Sequence, residues 1–402
     1  MSPLATNNSF LGLAKESVRG TGVAATTFIP VRSPGPEDQY NFYEDKGLRG
    51  SMVDQYGQIQ GVAHGEYGFS GDFFIDVCPH ILMGLLGNSA VAASVATFTD
   101  VVLSGTAGSV VTATSPTANF NAALDVGKIV TSTGGTGSVG TTATITAVVS
   151  PTVATVTASV GTPTNGTSAS FTIARATTNT HTLGLLNNAG ATGNQPPSYS
   201  VSDFDQINTR QFTAGQFSEF SLAFQPDGLL TYSAKAMGNK SAIVSNPTSS
   251  YSSVLPSVGW GGQLIVAGVA NIHLESGSLA LKRTVGTPFT LTNTQNPYRI
   301  WASDFSVSGS FTFIVDDDTE LLYYLNNLQP TVVLSFTQPT TGYAIRFQMT
   351  ACAFLPGTKP ERGKEYVEVA ATFKAVPNVT DATATGYSPL KTTILNGQAS
   401  AY

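Results

Sequence analysis

The sequence predicts a mainly β fold: a β-sandwich or barrel flanked by short α-helices, duplicated within the chain and carrying an inserted small all-β domain. Three observations predict it. First, Phe69, Gly71, Phe73 and Ile75 alternate with polar neighbours, and Phe305, Val307, Gly309, Phe311 and Phe313 do the same, which is the period of a half-buried strand. Second, each alternation gives way to helical spacing, with Ile81, Leu82 and Leu85 matched by Leu321, Leu322 and Leu325 at i, i+1 and i+4. Third, from about 97 to 175 almost every residue is Thr, Ser, Gly, Ala or Val, with Gly and Pro turns between short β-prone runs. One strand feeding one helix, twice over, marks an internal repeat.

Residues 1–96 and 176–250 are therefore expected to form the first half of the repeat, 97–175 the insertion, and 251–402 the second half. The chain opens with Ser9–Glu16 and Ala24–Pro30, which read as short strands around a Gly-rich turn. From Arg32 to about Gln60 it turns polar, and Tyr40, Phe42, Tyr43, Arg49 and Tyr56 follow no clean period. Two readings stand there: a long connection covered by a partner, since exposed Tyr and Phe clusters mark contact surfaces, or a long hairpin on its own subunit.

The first strand runs to Ile75, after which Pro79 suits the first helical turn and Gly87 the C-terminal cap. In the second copy, Asp316, Asp317 and Asp318 supply an N-cap and favourable charge at the positive helix end, and Pro330 terminates. The insertion offers Val101–Leu103, Lys128–Val130, Ala143–Val149 and Ala154–Val160 as strands; the same composition would also describe a loose linker. Strands resume at Tyr199–Val201, Phe217–Phe224 and Leu229–Ala234, the last two joined by a Pro226-Asp227-Gly228 turn. Asn239–Pro256 is Ser-rich and reads as the joint between halves. The second half then gives Gly262–Leu274, Ser278–Arg283, its own strand and helix, Thr331–Phe336, Ala344–Phe354 and Tyr366–Ala375, with Pro356–Gly363 as a polar hairpin loop.

Charged residues make up 11% of the 402, against about 25% in ordinary soluble domains. Such a surface is polar without being charged, which suits prolonged contact with copies of itself. A net charge of -6 opposes tight nucleic-acid binding, which needs clustered Lys and Arg. Cys78 and Cys352 each sit inside an apolar pattern and read as buried thiols; a disulfide would need their Cα atoms within about 7 Å. The N-terminus lacks a signal peptide's basic start and apolar run, and no run of about 18 apolar residues occurs, so a soluble protein made in the cytoplasm is expected.

No catalytic constellation emerges. His64, His80, His181 and His273 show no metal-ligand spacing, and Cys78-Pro79-His80 places thiol and imidazole on a strand-to-helix corner where adjacent side chains point apart. The three consecutive aspartates do not converge as an alternating Asp loop would, and Gly259-Trp260-Gly261-Gly262 lacks the flanking strand and helix of a phosphate loop. The expectation is a protein that is not an enzyme and needs no cofactor or metal.

The order of arm, polar loop, Phe69-Ser70-Gly71-Asp72-Phe73 strand, Ile81–Leu86 helix, insertion, strands, and then the same unit ending in Val367–Pro377 resembles the major tail tube protein of long, non-contractile bacteriophage tails. It is similar to the long, duplicated members of that group, and Leu11–Gly22 and Leu48-Arg49-Gly50-Ser51 share the family flavour. The resemblance implies a β-sandwich flanked by a helix, assembled as rings of six single-copy or three duplicated subunits. Stacked rings would make a hollow tube through which genomic DNA passes without specific binding. Tape measure and tail-end proteins would be its partners, with no membrane.

If the apolar strand face packs on the helix, Ser70, Asp72, Asp76, Ser306, Ser308, Ser310 and Thr312 face a lumen. That wall would carry some carboxylates and few cations, so a polyanion would slide. Tyr40, Phe42, Tyr43, Arg49 and Tyr56, with the N-terminal arm, are the candidates for ring-to-ring contacts, and the insertion is expected outside as a decoration. The rival readings are a surface-adhesion or glycan-binding β protein, an outer-membrane barrel and a virion hydrolase.

Overall fold

The computed structural model describes residues 8–104, 111–114, 120–134, 143–157, 166–187, 195–271, 273–314, 319–361, 366–383 and 385–402. Strands β1 (Phe10–Lys15) and β2 (Thr27–Ile29) precede a long hairpin of β3 (Ser33–Asp45) and β4 (Gly57–Asp72), and then helix α1 (Pro79–Leu86). Strand β5 (Gly87–Ser104) leads out to β6 (Val111–Thr114), α2 (Ala122–Asp125), β7 (Val130–Gly134), β8 (Ile145–Ser150) and β9 (Val153–Val156), and β10 (Gly166–Leu185) returns. The first half closes with β11 (Tyr199–Phe204), β12 (Thr209–Phe224), β13 (Thr231–Gly238) and β14 (Ala242–Val244). The second opens with β15 (Gly262–Val266), β16 (Val269–Asn271), β17 (Leu274–Gly286) and β18 (Trp301–Ile314), followed by α3 (Thr319–Leu325). It ends with β19 (Val332–Thr337), β20 (Ala344–Met349), β21 (Cys352–Phe354), β22 (Lys359–Glu361), β23 (Glu368–Ala375) and β24 (Lys391–Asn396).

These strands build two sheets around one main core. In the first, β3, β4, β13, β12, β17, β18 and β23 lie side by side as a continuous antiparallel wall, with β21 and β22 paired along the outer side of β23. Strand β12 turns at Ala214, whose φ of 56° is left-handed, and its first half pairs with β11 instead. The second sheet runs β15, β19, β20, β24, β10, β5, so that β24 joins the outer strands of the two halves.

Helix α1 fills the space between the sheets. Every residue in it except His80 is buried, as expected of a helix that is apolar almost all round. Pro79 stands in its first turn, and Gly87 at φ 89° donates its N–H to Met83, closing the helix as its sequence predicts. At Gly84 a Cβ would fall 2.3 Å from the Phe217 ring, so only glycine allows this approach.

Several expectations change. Of the two readings of the Arg32–Gln60 stretch the structure shows the long hairpin, with β3 and the start of β4 joined by a connection from 46 to 56. Its prolines hid this, because Pro removes a donor and is tolerated on edge strands, where β3 lies. Ala344–Phe354 is not one strand: it breaks at Thr350 and Ala351, with β20 in the second sheet and β21 in the first. The insertion is β-rich with a hydrophobic cluster of its own, including Val101, Phe120, Val130, Ile145, Val156 and Ile173. Its expected boundaries at 97 and 175 fall inside β5 and β10, which pair over most of their length and carry the second sheet outward. The capping triplet 316–318 lies outside the described residues.

Candidate functional site

Strict alternation along the wall separates two faces. Toward the core point Tyr67, Phe69, Tyr232, Phe220, Leu279, Leu281, Val307, Phe311 and Phe373, all buried. The opposite face is open and is written in hydroxyls. Ser33 pairs with Ser70, Ser70 with Ser233, Ser233 with Ser221, Ser221 with Ala280, Ala280 with Ser308 and Ser308 with Lys374, one row across the wall. Hydroxyls bridge neighbouring strands at Ser221 and Ser233, and at Ser278 and Ser310, each at 2.8 Å.

The sequence-predicted residues Ser70, Asp72, Ser306, Ser308, Ser310 and Thr312 share this face. Asp76 does not: β4 ends at Asp72, and Asp76 lies in the turn before α1, where its carbonyl accepts from the Tyr402 hydroxyl at 3.2 Å. Phe73 and Ile75 are both buried in the turn, so the apolar alternation runs past the end of β4 at Asp72.

The face also holds more cations than the sequence reading allowed. Lys235, Lys282 and Lys374 stand on it, the last two directly opposite Ser306 and Ser308. Part of this charge is paired. Glu219 lies between Lys235 at 3.3 Å and Lys282 at 3.2 Å; partial burial would raise its carboxyl, but the two ammonium groups hold it below the usual range. Asp72 meets Arg32 at 2.8 Å. What results is a polar face of mixed charge rather than an acidic one: two lysines share one carboxylate, and Lys374 has no ion pair among the described residues.

Beyond the wall the hairpin projects. Strand β13 covers β4 from Gly65 to Asp72 and Ala63 donates its N–H to the Gln295 carbonyl at 2.9 Å, while β3 accompanies β4 back to Gly57, so the part beyond Ala63 stands clear by about 20 Å at 3.3 Å per residue. Phe42, Tyr43, Leu48, Met52 and Ile59 are exposed there. Arg49 pairs with Asp45 and lies 4.7 Å over the Tyr56 ring, which orders the tip from within. Tyr40 and Phe42 stand in ring contact, 6.1 Å apart.

The histidines are scattered. His64 meets Glu66 at 3.1 Å, His80 meets the Thr27 hydroxyl at 3.3 Å, and His181 meets the Gln398 carbonyl at 2.9 Å. Burial raises the Cys78 thiol and pushes Cys352 up to about 12, and both thiols are free. Among the described residues, no group of three or more His, Cys, Asp or Glu could hold a metal ion, and no helix is long and apolar enough to cross a membrane.

Sequence reasoning missed one residue that organises this architecture. Glu16 is buried at the foot of β1 and accepts four hydrogen bonds: from the hydroxyls of Ser198 at 2.6 Å and Ser200 at 2.9 Å, and from the backbone of Gly20 and Ala214, both at 2.8 Å. A lone Glu after an apolar run carries no signal of this, because its partners come from sequence positions up to 198 residues away.

None of the curated proteins compared with this chain matches it. Residues 172–375 match a protein family described as phage tail tube protein, a span that takes in β11 to β23 and hence most of the wall. That match covers half of the chain, and with it the protein belongs to the phage tail tube family, as a structural part of the virion tail that works within a multimeric tube.

Proposed function

We propose that three copies close into a ring, that rings stack into the tube of a long non-contractile tail, and that the hydroxyl-rich face lines its lumen. One observation carries the reading: the wall has a polar face backed by a core, and both of its margins, β3 on one side and β21 with β22 on the other, end without a further strand among the described residues. Exposed strand edges are a liability that closure removes. Three chains would bring about 24 strands, enough at about 4.8 Å each for a wall on the order of 40–50 Å across; six would double that.

A lumen made mostly of hydroxyls, with a few separated lysines two of which share Glu219, offers a polyanion no cluster of cations to bind, so genomic DNA would pass without tight binding. The projecting hairpin, with Tyr40, Phe42, Tyr43, Arg49 and Tyr56, then reaches along the tube axis to the next ring. The insertion belongs to the sheet that does not carry the polar face, which supports its placement outside. Tape measure and tail-end proteins complete the assembly.

Negative-stain electron microscopy of the purified protein at high concentration tests this. Hollow stacked rings of three-fold symmetry are expected. Discrete particles that never polymerise would overturn the reading.

A further inference from the structure

The Gly259-Trp260-Gly261-Gly262 turn lies just before β15 and takes no part in the polar wall. Its backbone is clamped. A Cβ at Gly259 would fall 1.8 Å from the Gln225 carbonyl oxygen, and one at Gly261 would fall 2.4 Å from that of Thr337. Both obstacles are backbone, so no side chain can rotate to relieve them, and only glycine lets the turn sit between the β12–β13 connection and β19. The Gly259 N–H also donates to the Gly228 carbonyl at 2.8 Å. Yet the side chain carried on this fixed turn is left open. Trp260 is 66% exposed, and among the described residues its ring meets no other ring and its indole N–H has no partner. The turn presents the indole rather than packing it.

What it presents the indole to is a cavity of about 750 Å³ between the insertion and the body of the protein. Gln263 of β15 lies opposite Ser335 of β19, and both line the cavity on the side of the second sheet away from its buried Leu264 and Leu334. Gln225 joins them from the β12–β13 connection, and Asn121 and Ser150 of the insertion stand across from them. The insertion is seated firmly here: a Cβ at Gly342, whose φ is 69°, would fall 2.6 Å from the Asn121 Oδ1. Among the described residues the side-chain amides of Gln225 and Gln263 have no hydrogen-bond partner. Among them, too, Glu275 is the one ionisable side chain that lines the cavity, and no Lys, Arg or His does.

We infer that this cavity binds a neutral oligosaccharide, with Trp260 as the stacking platform and the amides of Gln225 and Gln263 as partners for its hydroxyls. A sugar ring offers an apolar C–H face to an aromatic ring and a rim of hydroxyls that both donate and accept, and an amide answers with both donors and an acceptor. The charge selects against the alternatives. A phosphate, a nucleic acid or an acidic sugar would meet a carboxylate and no cation. A purely apolar ligand would desolvate the amides and leave their hydrogen bonds unmade. The volume is that of a small-molecule site and suits a short oligosaccharide. Strands β15 and β19 and the insertion belong to the sheet that does not carry the polar face, so the ligand approaches from the side away from that face. The site is complete within one chain and goes beyond the tube reading.

Trp260 and Trp301 are the two tryptophans of the chain, so a full-length Trp301→Phe protein reports on Trp260 alone by fluorescence. Its unassembled form is titrated with neutral oligosaccharides of glucose, galactose, mannose, rhamnose and N-acetylglucosamine, and with heparin fragments and inorganic polyphosphate as anionic counter-probes. A saturable blue shift is expected with at least one neutral oligosaccharide and with neither anion. By calorimetry on the chain with both tryptophans, Trp260→Ala is expected to weaken that binding about tenfold and Gln263→Ala about threefold. Both side chains are exposed, so both variants should fold by circular dichroism. No saturable response to any neutral probe would overturn the inference, as would an equal response to the anions or unchanged affinity in both variants. Trp260→Ala is also expected to form tubes normally. Rings of that variant that no longer stack would assign the turn to contact between rings, overturning the saccharide site and leaving the tube intact.

Discussion

Glu16 shows how one side chain can fix the meeting of distant segments. Its carboxylate takes donors from Gly20, from Ser198 and Ser200 at the start of β11, and from Ala214, the left-handed residue at which β12 leaves one pairing for another. Removing it would orphan buried donors, so Glu16→Ala is expected to cost about 3 kcal/mol or more, read as a lower denaturant midpoint of the unassembled chain. His80 offers a test by pH. Burial, with Lys15 nearby, pushes its imidazole down to about 4, below the ordinary 6.5, so the folded chain holds it neutral while the unfolded chain takes up a proton. Its contribution is complete above about pH 6.5 and is lost as pH falls toward 4, on the order of 3 kcal/mol. In His80→Gln the unfolding midpoint should fall less steeply between pH 7 and 4.5; an unchanged slope would refute this account.

Among the elements, the β3–β4 hairpin is the one whose shape was least legible. Its tip residues touch little of their own chain, so their aromatic content follows neither period two nor 3.6, and sequence shows only that something apolar is left unburied. Strand β3 is part of the wall, while the 46–55 tip is not. Replacing 46–55 with a short Asn-Gly turn is therefore expected to leave rings but to abolish stacking, visible as isolated annuli by microscopy. Helices α1 and α3 were both legible from leucine spacing, yet one is sealed and the other half open. Spacing declares which face seeks cover, not whether the same chain provides it.

For the molecule as a whole, charge on the polar face decides how DNA would move past it. Lys235 and Lys282 share the single carboxylate of Glu219, so the cationic charge there is halved rather than cancelled. Ser70→Arg with Ser308→Arg, both on that face, should assemble normally but retain duplex DNA at low salt, with binding that weakens by about 0.9 in log K per log salt for each phosphate engaged. Tubes that retain no more DNA than the unmodified protein would place the face elsewhere than on the lumen.

The sequence alone determined the β class, helix α1 with its Pro79 and Gly87 boundaries, the place of helix α3, and the side of each wall strand that stays polar. All of these are local: a period or a cap is complete within a dozen residues. Only the tertiary structure decided that Ala344–Phe354 divides between two sheets, that β24 ties the halves together, that lysines join the serines on one face, and that Asp76 leaves it. Each of these depends on which strand lies beside which, and pairing is set by contacts between residues far apart in the chain, about which a local pattern carries no information.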